Sequence, residues 1–259
     1  MIDLHAHLLP GVDDGARDER EAARALAALR DAGFSEVTAT PHLDASLAER
    51  PRRWEARLAA FDAAWARLVA LRDEAAPGLR IRRGVELMLD TPDVPPEDPR
   101  LRLGDGDALL VEFPRLGVPP SMPEVLERLR EAGWRPVVAH PERYDVALAG
   151  GAARWRAAGA ALAVNAGALT GAYGPGPERA SRELFARGLA DALATDYHAR
   201  GGIAAADAAA LLERSADADF ARLLTVDNPR RLLAGEPPVA PPPVRIEGGF
   251  GDRVRRLFR

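Results

Sequence analysis

Five histidines and a small set of acidic residues carry the strongest chemistry open to this chain. His5 and His7 stand in an H-x-H spacing after a short apolar run, followed by Asp13, Asp14 and Gly15. In an extended strand residues i and i+2 share a face, so both imidazoles can grip one ion. Taken alone, an H-x-H near an N-terminus reads equally well as an ordinary polar surface. The other histidines, His42, His140 and His198, shift that balance, because each comes just after a predicted strand. Asp14, Glu86, Glu112 and Asp196 occupy comparable positions. Glu112 closes the apolar run A-L-L-V-E-F, where a carboxylate is costly to bury unless it is paired or bound to a metal.

These residues together form a candidate ligand set of the kind multinuclear sites use. They exceed the roughly four to six ligands that one zinc or manganese ion takes, so two or three divalent ions are expected. Three such ions set against four carboxylates leave a surplus of about +2, which attracts a phosphate dianion. A mixed carboxylate and imidazole set without thiolate suits Mn²⁺, Fe²⁺ or Zn²⁺. Arg143 and Arg200 follow His140 and His198 closely and are candidate catalytic residues, able to hold a phosphoryl oxygen in a fork. Each also reads as a solvated loop arginine.

What the chain lacks narrows the chemistry further. It has no Cys, hence no thiolate nucleophile and no disulfide framework. All 35 basic residues are Arg, which removes a P-loop or Schiff-base lysine. Ser35, Ser46, Ser121, Ser181 and Ser215 lie in no G-x-S-x-G context. The net charge is -4, and acidic residues are interspersed among the arginines, which argues against a nucleic-acid partner. No stretch approaches the ~20 apolar residues of a membrane span, and no signal-like segment precedes His5. A cytoplasmic protein without membrane insertion is expected.

The positioning elements alternate along the chain. Short strands are predicted over residues 1–4, 36–40, 79–87, 108–113, 136–139, 160–165 and 189–194. Helices are predicted over 18–33, 47–76, 151–158, 178–188, 203–215 and 220–233. Trp54, Leu58, Phe61, Trp65, Leu68 and Leu71 recur at helical steps and read as core packing. S-M-P-E at residues 121–124 matches a capping box opening a further helix to Gly133. Strand and helix alternation through about 235 residues predicts an α/β protein with a closed or distorted (βα) barrel of seven units, its site at the carboxyl ends of the strands. Residues 1–235 are expected to form one domain; 236–259 read as a Pro-rich linker with a mobile or loosely docked basic tail.

The stretches M-I-D-L-H-A-H-L-L-P-G-V-D-D-G, A-T-P-H, G-V-E-L, L-L-V-E-F-P, V-V-A-H-P-E-R-Y, V-N-A-G-A-L-T-G and A-T-D-Y-H resemble the polymerase-and-histidinol-phosphatase (PHP) superfamily. Within it they resemble the manganese-dependent tyrosine-protein phosphatases of capsular and exopolysaccharide operons. The resemblance implies a distorted (βα)₇ TIM-like barrel with a trinuclear centre. It places one metal at His5, His7, Glu86 and Asp196, with Glu86 bridging to a second held by Glu112 and His140. It places a third at His42, His198 and one aspartate of the D-D-G pair, Asp14 ahead of Asp13.

The implied reaction is hydrolysis of phosphotyrosine by a hydroxide bridging the metals, with Arg143 neutralising the phosphoryl oxygens. The implied substrate is the tyrosine-rich tail of a membrane-bound kinase of polysaccharide export. Two other functions fit the residues less fully: a small-molecule phosphatase, for instance on histidinol phosphate, and a metal-stabilised binding module without catalysis. Tyr197 replaces a small residue common in that branch, and the glycine-rich segment after Arg200 lacks a more distal arginine that some members carry.

Overall fold

The computed structural model describes residues 1–114 and 117–248. Its strands are β1 (Ile2–Ala6), β2 (Glu36–Ala39), β3 (His42–Asp44), β4 (Arg80–Arg83), β5 (Glu86–Met88), β6 (Ala108–Glu112), β7 (Arg135–Ala139), β8 (Ala161–Asn165) and β9 (Ala192–Ala194). The helices are α1 (Glu19–Asp31), α2 (Pro51–Ala75), α3 (Met122–Glu131), α4 (Ala152–Ala157), α5 (Ala166–Thr170), α6 (Pro175–Ala186), α7 (Ala205–Ser215), α8 (Ala218–Arg222) and α9 (Asn228–Leu233). All the ladders are parallel. Strands β1, β6 and β8 are buried along their whole length, as strands covered on both faces must be.

The expected α/β class with parallel pairing is present, but the strands do not form one closed sheet. Among the described residues they fall into two sheets, ordered β1-β2-β4 and β3-β5-β6-β7-β8-β9. Two bends explain the division. The strand expected over 79–87 breaks at Gly84-Val85, so that β4 pairs with β2 while β5 pairs with β3. A Cβ on Gly84 would lie 2.7 Å from Leu103 Cδ2, so glycine lets the chain pass there. The chain after β2 bends in the same way at Thr40-Pro41, where proline has no N–H to offer a ladder. Both chains thus leave the small sheet and re-enter the large one.

Backbone bonds stitch β1 to the segment after β9: Asp196 N–H donates to the His5 carbonyl at 2.9 Å and His7 N–H to the Tyr197 carbonyl at 2.8 Å. The buried Asp3 carboxylate accepts from the Thr195 N–H at 3.0 Å and from its hydroxyl at 2.5 Å. Two ligand-bearing segments are locked side by side in this way, although they stand far apart in sequence.

Helix ends follow local chemistry where the backbone permits. Asp18 caps α1 by accepting from Glu21 N–H at 2.8 Å. Ser121 does not cap α3: its backbone (φ -81, ψ 4) is not the extended conformation a capping side chain needs. Along α2 the side chains of Trp54, Leu58, Phe61 and Leu68 are buried, whereas Trp65 and Leu71 are only partly covered. The expected helix over 220–233 is divided, α8 and α9 being joined by a wider turn at Leu223–Asp227.

The Pro-rich segment is strapped down. Asn228 exchanges two bonds with Val239, Val244 N–H donates to the Phe185 carbonyl at 2.9 Å, and Ile246 is buried in the core. Up to residue 248 the segment is docked, the second of the two expected states for its tail, because paired carbonyls and a buried isoleucine hold it. Residues 249–259 of that tail lie outside the described residues. Among the described residues no helix is long and apolar enough to cross a membrane.

Candidate metal centre

Strand ends bring the nine candidate ligands into one place. His5 and His7 leave β1, His42 opens β3, Glu86 opens β5, Glu112 ends β6, and His140 follows β7. Asp196 and His198 come after β9, and Asp14 stands on the loop before α1. His140 (φ 35) and Asp196 (φ 52) adopt the left-handed backbone that non-glycine residues avoid, as does Ala199 (φ 58) beside His198. Among the described residues no other non-glycine residue does so. Backbone strain of this kind persists where surrounding structure over-determines it, and it collects at functional sites.

The side chains form three overlapping groups able to hold an ion: His5, His7, Glu86 and Asp196; His42, Glu86 and Glu112; and His7, Asp14, His42 and His198. In the first, Glu86 Oε2 lies 3.2 Å from His5 Nε2 and 3.3 Å from His7 Nε2. Asp196 Oδ1 lies 3.3 Å from each of the same nitrogens. In the second, His42 Nδ1 is 2.9 Å from Glu86 Oε2 and 3.0 Å from Glu112 Oε1. His140 joins through Glu86, its Nε2 being 2.9 Å from Oε1.

These separations match ligands sharing an ion, since atoms each ~2.1 Å from a metal lie roughly 3.0–3.4 Å apart. His42 Nδ1, Glu86 Oε2 and Glu112 Oε1 are buried, yet none forms a hydrogen bond of acceptable geometry. Buried polar atoms are normally satisfied, so three orphans converging on one point fit a cation.

The D-D-G pair divides its labour. The Asp13 side chain is buried and accepts from His7 Nδ1 at 2.9 Å and from Gly15 N–H at 3.0 Å, which leaves His7 Nε2 free to face the centre. Asp14 is exposed, and its Oδ1 lies 3.4 Å from His42 Nε2 and 3.3 Å from His198 Nε2. Gly15 lets this loop press on β1: a Cβ there would meet the His7 carbonyl oxygen at 2.3 Å. His198 Nδ1 donates to the Asp196 carbonyl at 2.8 Å, so Nε2 carries the lone pair facing Asp14. Tyr144, not singled out in the sequence, packs against His140 with its hydroxyl 3.5 Å from Nδ1 and accepts from Phe113 N–H at 2.9 Å. The Y of H-P-E-R-Y was its only sequence signal.

Electrostatics separate the histidines. Burial disfavours charge on His7, but Asp13, Asp196 and Glu86 outweigh it and raise its pKa well above the ordinary value. Burial likewise opposes charge on His42, and Glu112 and Glu86 push it up to about 10. Burial lowers His140 and His198. Against the cost of burial, neighbouring histidines hold Glu86 and Asp196 well below the usual carboxylate range.

Metal binding requires neutral imidazoles, so loading the metal-free protein near pH 7 is expected to release about two protons per chain, from His7 and His42. Raised pKa values mean that protons compete until pH passes the folded value, so metal affinity should climb with pH up to about 10. Calorimetric titrations in buffers of different ionisation enthalpy measure this release, and its absence would contradict these assignments.

The two candidate arginines part ways. The Arg143 guanidinium binds Asp196 Oδ2 and faces the Tyr173 ring, 5.8 Å from its centroid. Arg200 donates Nη1 to the Gly15 carbonyl at 2.8 Å and to Glu21 Oε2 at 3.1 Å, and Nη2 to the Asp14 carbonyl at 2.5 Å. Arg200 thereby ties the loop after β9 to the loop bearing Asp14. Both arginines line a cleft of about 780 Å³ that opens beside Asp196 and His198.

Known proteins are similar to this chain over half or more of its length. The tyrosine-protein phosphatase YwqE of Bacillus subtilis (strain 168) is 28% identical over 270 residues, covering 100% of this chain and 99% of its own. The tyrosine-protein phosphatase CpsB of Streptococcus pneumoniae is 29% identical over 147 residues, 56% of this chain and 58% of its own. Among solved structures, the crystallographic work on YwqE and CpsB, described as unique metal-dependent tyrosine phosphatases, includes a chain that superposes with a TM-score of 0.77 at 26% identity. That match covers 96% of this chain and 100% of the other. The family model described as "Capsular polysaccharide synthesis, CpsB/CapC" matches residues 1–234, from the first strand to the end of α9, and the chain belongs to that family.

Proposed function

We propose that this chain is a metal-dependent tyrosine-protein phosphatase of capsular or exopolysaccharide synthesis. The observation that carries the proposal is the convergence of His42 Nδ1, Glu86 Oε2 and Glu112 Oε1 as buried, unpartnered atoms within 2.9–3.0 Å contacts. Family membership and the phosphatases YwqE and CpsB support it. His5, His7, Glu86 and Asp196 would hold one divalent ion, Glu86, Glu112 and His140 a second, and Asp14 and His198 a third; His42 stands between the last two, its Nδ1 towards Glu86 and Glu112 and its Nε2 towards Asp14, and would serve one of them. We assign manganese to them, with iron(II) and zinc the outcomes that metal analysis distinguishes. We read the two sheets as parts of one distorted (βα)₇ barrel, supported by the bridge between Ala6 and Tyr197.

When bound, such ions supply Lewis acidity and make water a nucleophile near neutral pH. Arg143 presents its remaining N–H groups to the equatorial phosphoryl oxygens, held in place by Asp196 and Tyr173. Arg200, engaged with the Asp14 loop, is assigned to holding that loop. A phenolate of pKa near ~10 leaves with less proton donation than an alkoxide, and every histidine of the chain lies among the carboxylates with none spare as an acid. The substrate we assign is the tyrosine-rich tail of a polysaccharide-export kinase, reached from the cytoplasm.

Turnover of a phosphotyrosine peptide and of histidinol phosphate, compared in the presence of Mn²⁺, tests the reading. A strong preference for the peptide is expected; the reverse preference would overturn it.

A further inference from the structure

Tyr173 lines one wall of the cleft beside the centre, and the phosphate chemistry gives it no contact with substrate, only with Arg143. Tyr173 stands there half in solvent, at 50% exposure, and is the one aromatic among the exposed large apolar side chains of the described residues. Its position is set by backbone. Helix α5 stops at Gly171 (φ 82), and Ala172 N–H returns to the Gly167 carbonyl at 2.8 Å. Gly174 (φ 93) then turns the chain into α6. Beneath the ring, a Cβ on Gly167 would lie 2.9 Å from Tyr173 Cε2, so the ring rests on bare backbone.

A single guanidinium connects this ring to the site. Arg143 binds Asp196 on one side and faces Tyr173 on the other, 5.8 Å from the ring centroid. Because Arg143 and Tyr173 line the same cleft, a phosphate ester gripped by Arg143 could extend its ester group towards Tyr173. An aryl phosphate carries its ring directly on the ester oxygen, and two rings at about 4.5–7 Å between centroids attract each other. An alkyl ester puts methylene and peptide backbone there, with no face to offer.

We propose that Tyr173 is the specificity-determining residue that receives the aromatic ring of an aryl phosphate while Arg143 holds its phosphoryl group. This rests on the phosphatase reading given above. The metal-loaded protein and its Tyr173→Ala and Tyr173→Phe variants, matched for metal content, should be compared on a phosphotyrosine peptide and on the same peptide carrying phosphoserine. Binding of phenylphosphonate and methylphosphonate should be measured alongside.

For Tyr173→Ala the aryl-to-alkyl ratio of kcat/KM is expected to fall about tenfold, mostly through KM. Phenylphosphonate should weaken by a similar factor relative to methylphosphonate, and Tyr173→Phe should keep both ratios. An equal loss on both substrates would mean that Tyr173 acts only through Arg143, and no loss on either would mean that the ring contributes nothing; each overturns the proposal. Failure of the underlying reading shows separately, as an unmutated protein that does not prefer the phosphotyrosine peptide.

Discussion

Glu86→Gln is expected to lower phosphatase activity by about a thousandfold or more, equivalent to about 4 kcal/mol of transition-state stabilisation. Glu86 is fully buried and touches four histidines of the centre: His5, His7 and His42 through Oε2, and His140 through Oε1. Glutamine keeps the volume but removes the charge and replaces one ligand oxygen with an N–H₂ that cannot bind a cation. Metal content should fall with activity, because two of the three candidate groups contain this carboxylate. Elemental analysis of the purified variant, together with turnover of a phosphotyrosine peptide, checks this. Full activity with full metal would remove Glu86 from the mechanism.

Arg143→Lys should cost about a hundredfold in kcat/KM with most of the bound metal retained. Arg143 is no ligand in any candidate group. Its guanidinium can meet Asp196, the Tyr173 face and a phosphoryl oxygen at once, and a lysine ammonium is a point donor without the planar fork. Electrostatic groups aimed at developing charge contribute on the scale of 10²–10³. Metal loss in parallel with activity would instead assign Arg143 to orienting Asp196, so metal analysis and kinetics on the same preparation decide between these roles.

Much of the site was legible because metal chemistry restricts residue types. Histidines that each follow a predicted strand, with carboxylates in matching places, are hard to explain in another way, and the structure brings all nine candidates together. The strands themselves were readable as short apolar runs. Boundaries failed where a local signal met a tertiary demand. The run over 79–87 looks continuous, and only packing against Leu103 shows why it bends at Gly84. Ser121 has the type and spacing of a cap but the wrong backbone. The Pro-rich segment looks like a linker because its tie to Phe185 is distant in sequence and nothing local marks Asn228 as the partner of Val239.

The residue types alone pointed to bound metal as the strongest chemistry open to the chain, since it contains neither cysteine nor lysine, and to candidate ligands at strand ends in an α/β fold. The division between Asp13 and Asp14 belonged to the tertiary structure, because both carry the same carboxylate and only burial separates them: one is enclosed against His7, the other faces His42 and His198. The same holds for the two arginines. Each follows a histidine on a similar loop, yet Arg200 finds the carbonyls of Asp14 and Gly15 within reach, while Arg143 finds Asp196 and an aromatic face beside an open cleft. A guanidinium's role depends on which acceptors surround it, and long-range folding alone supplies them.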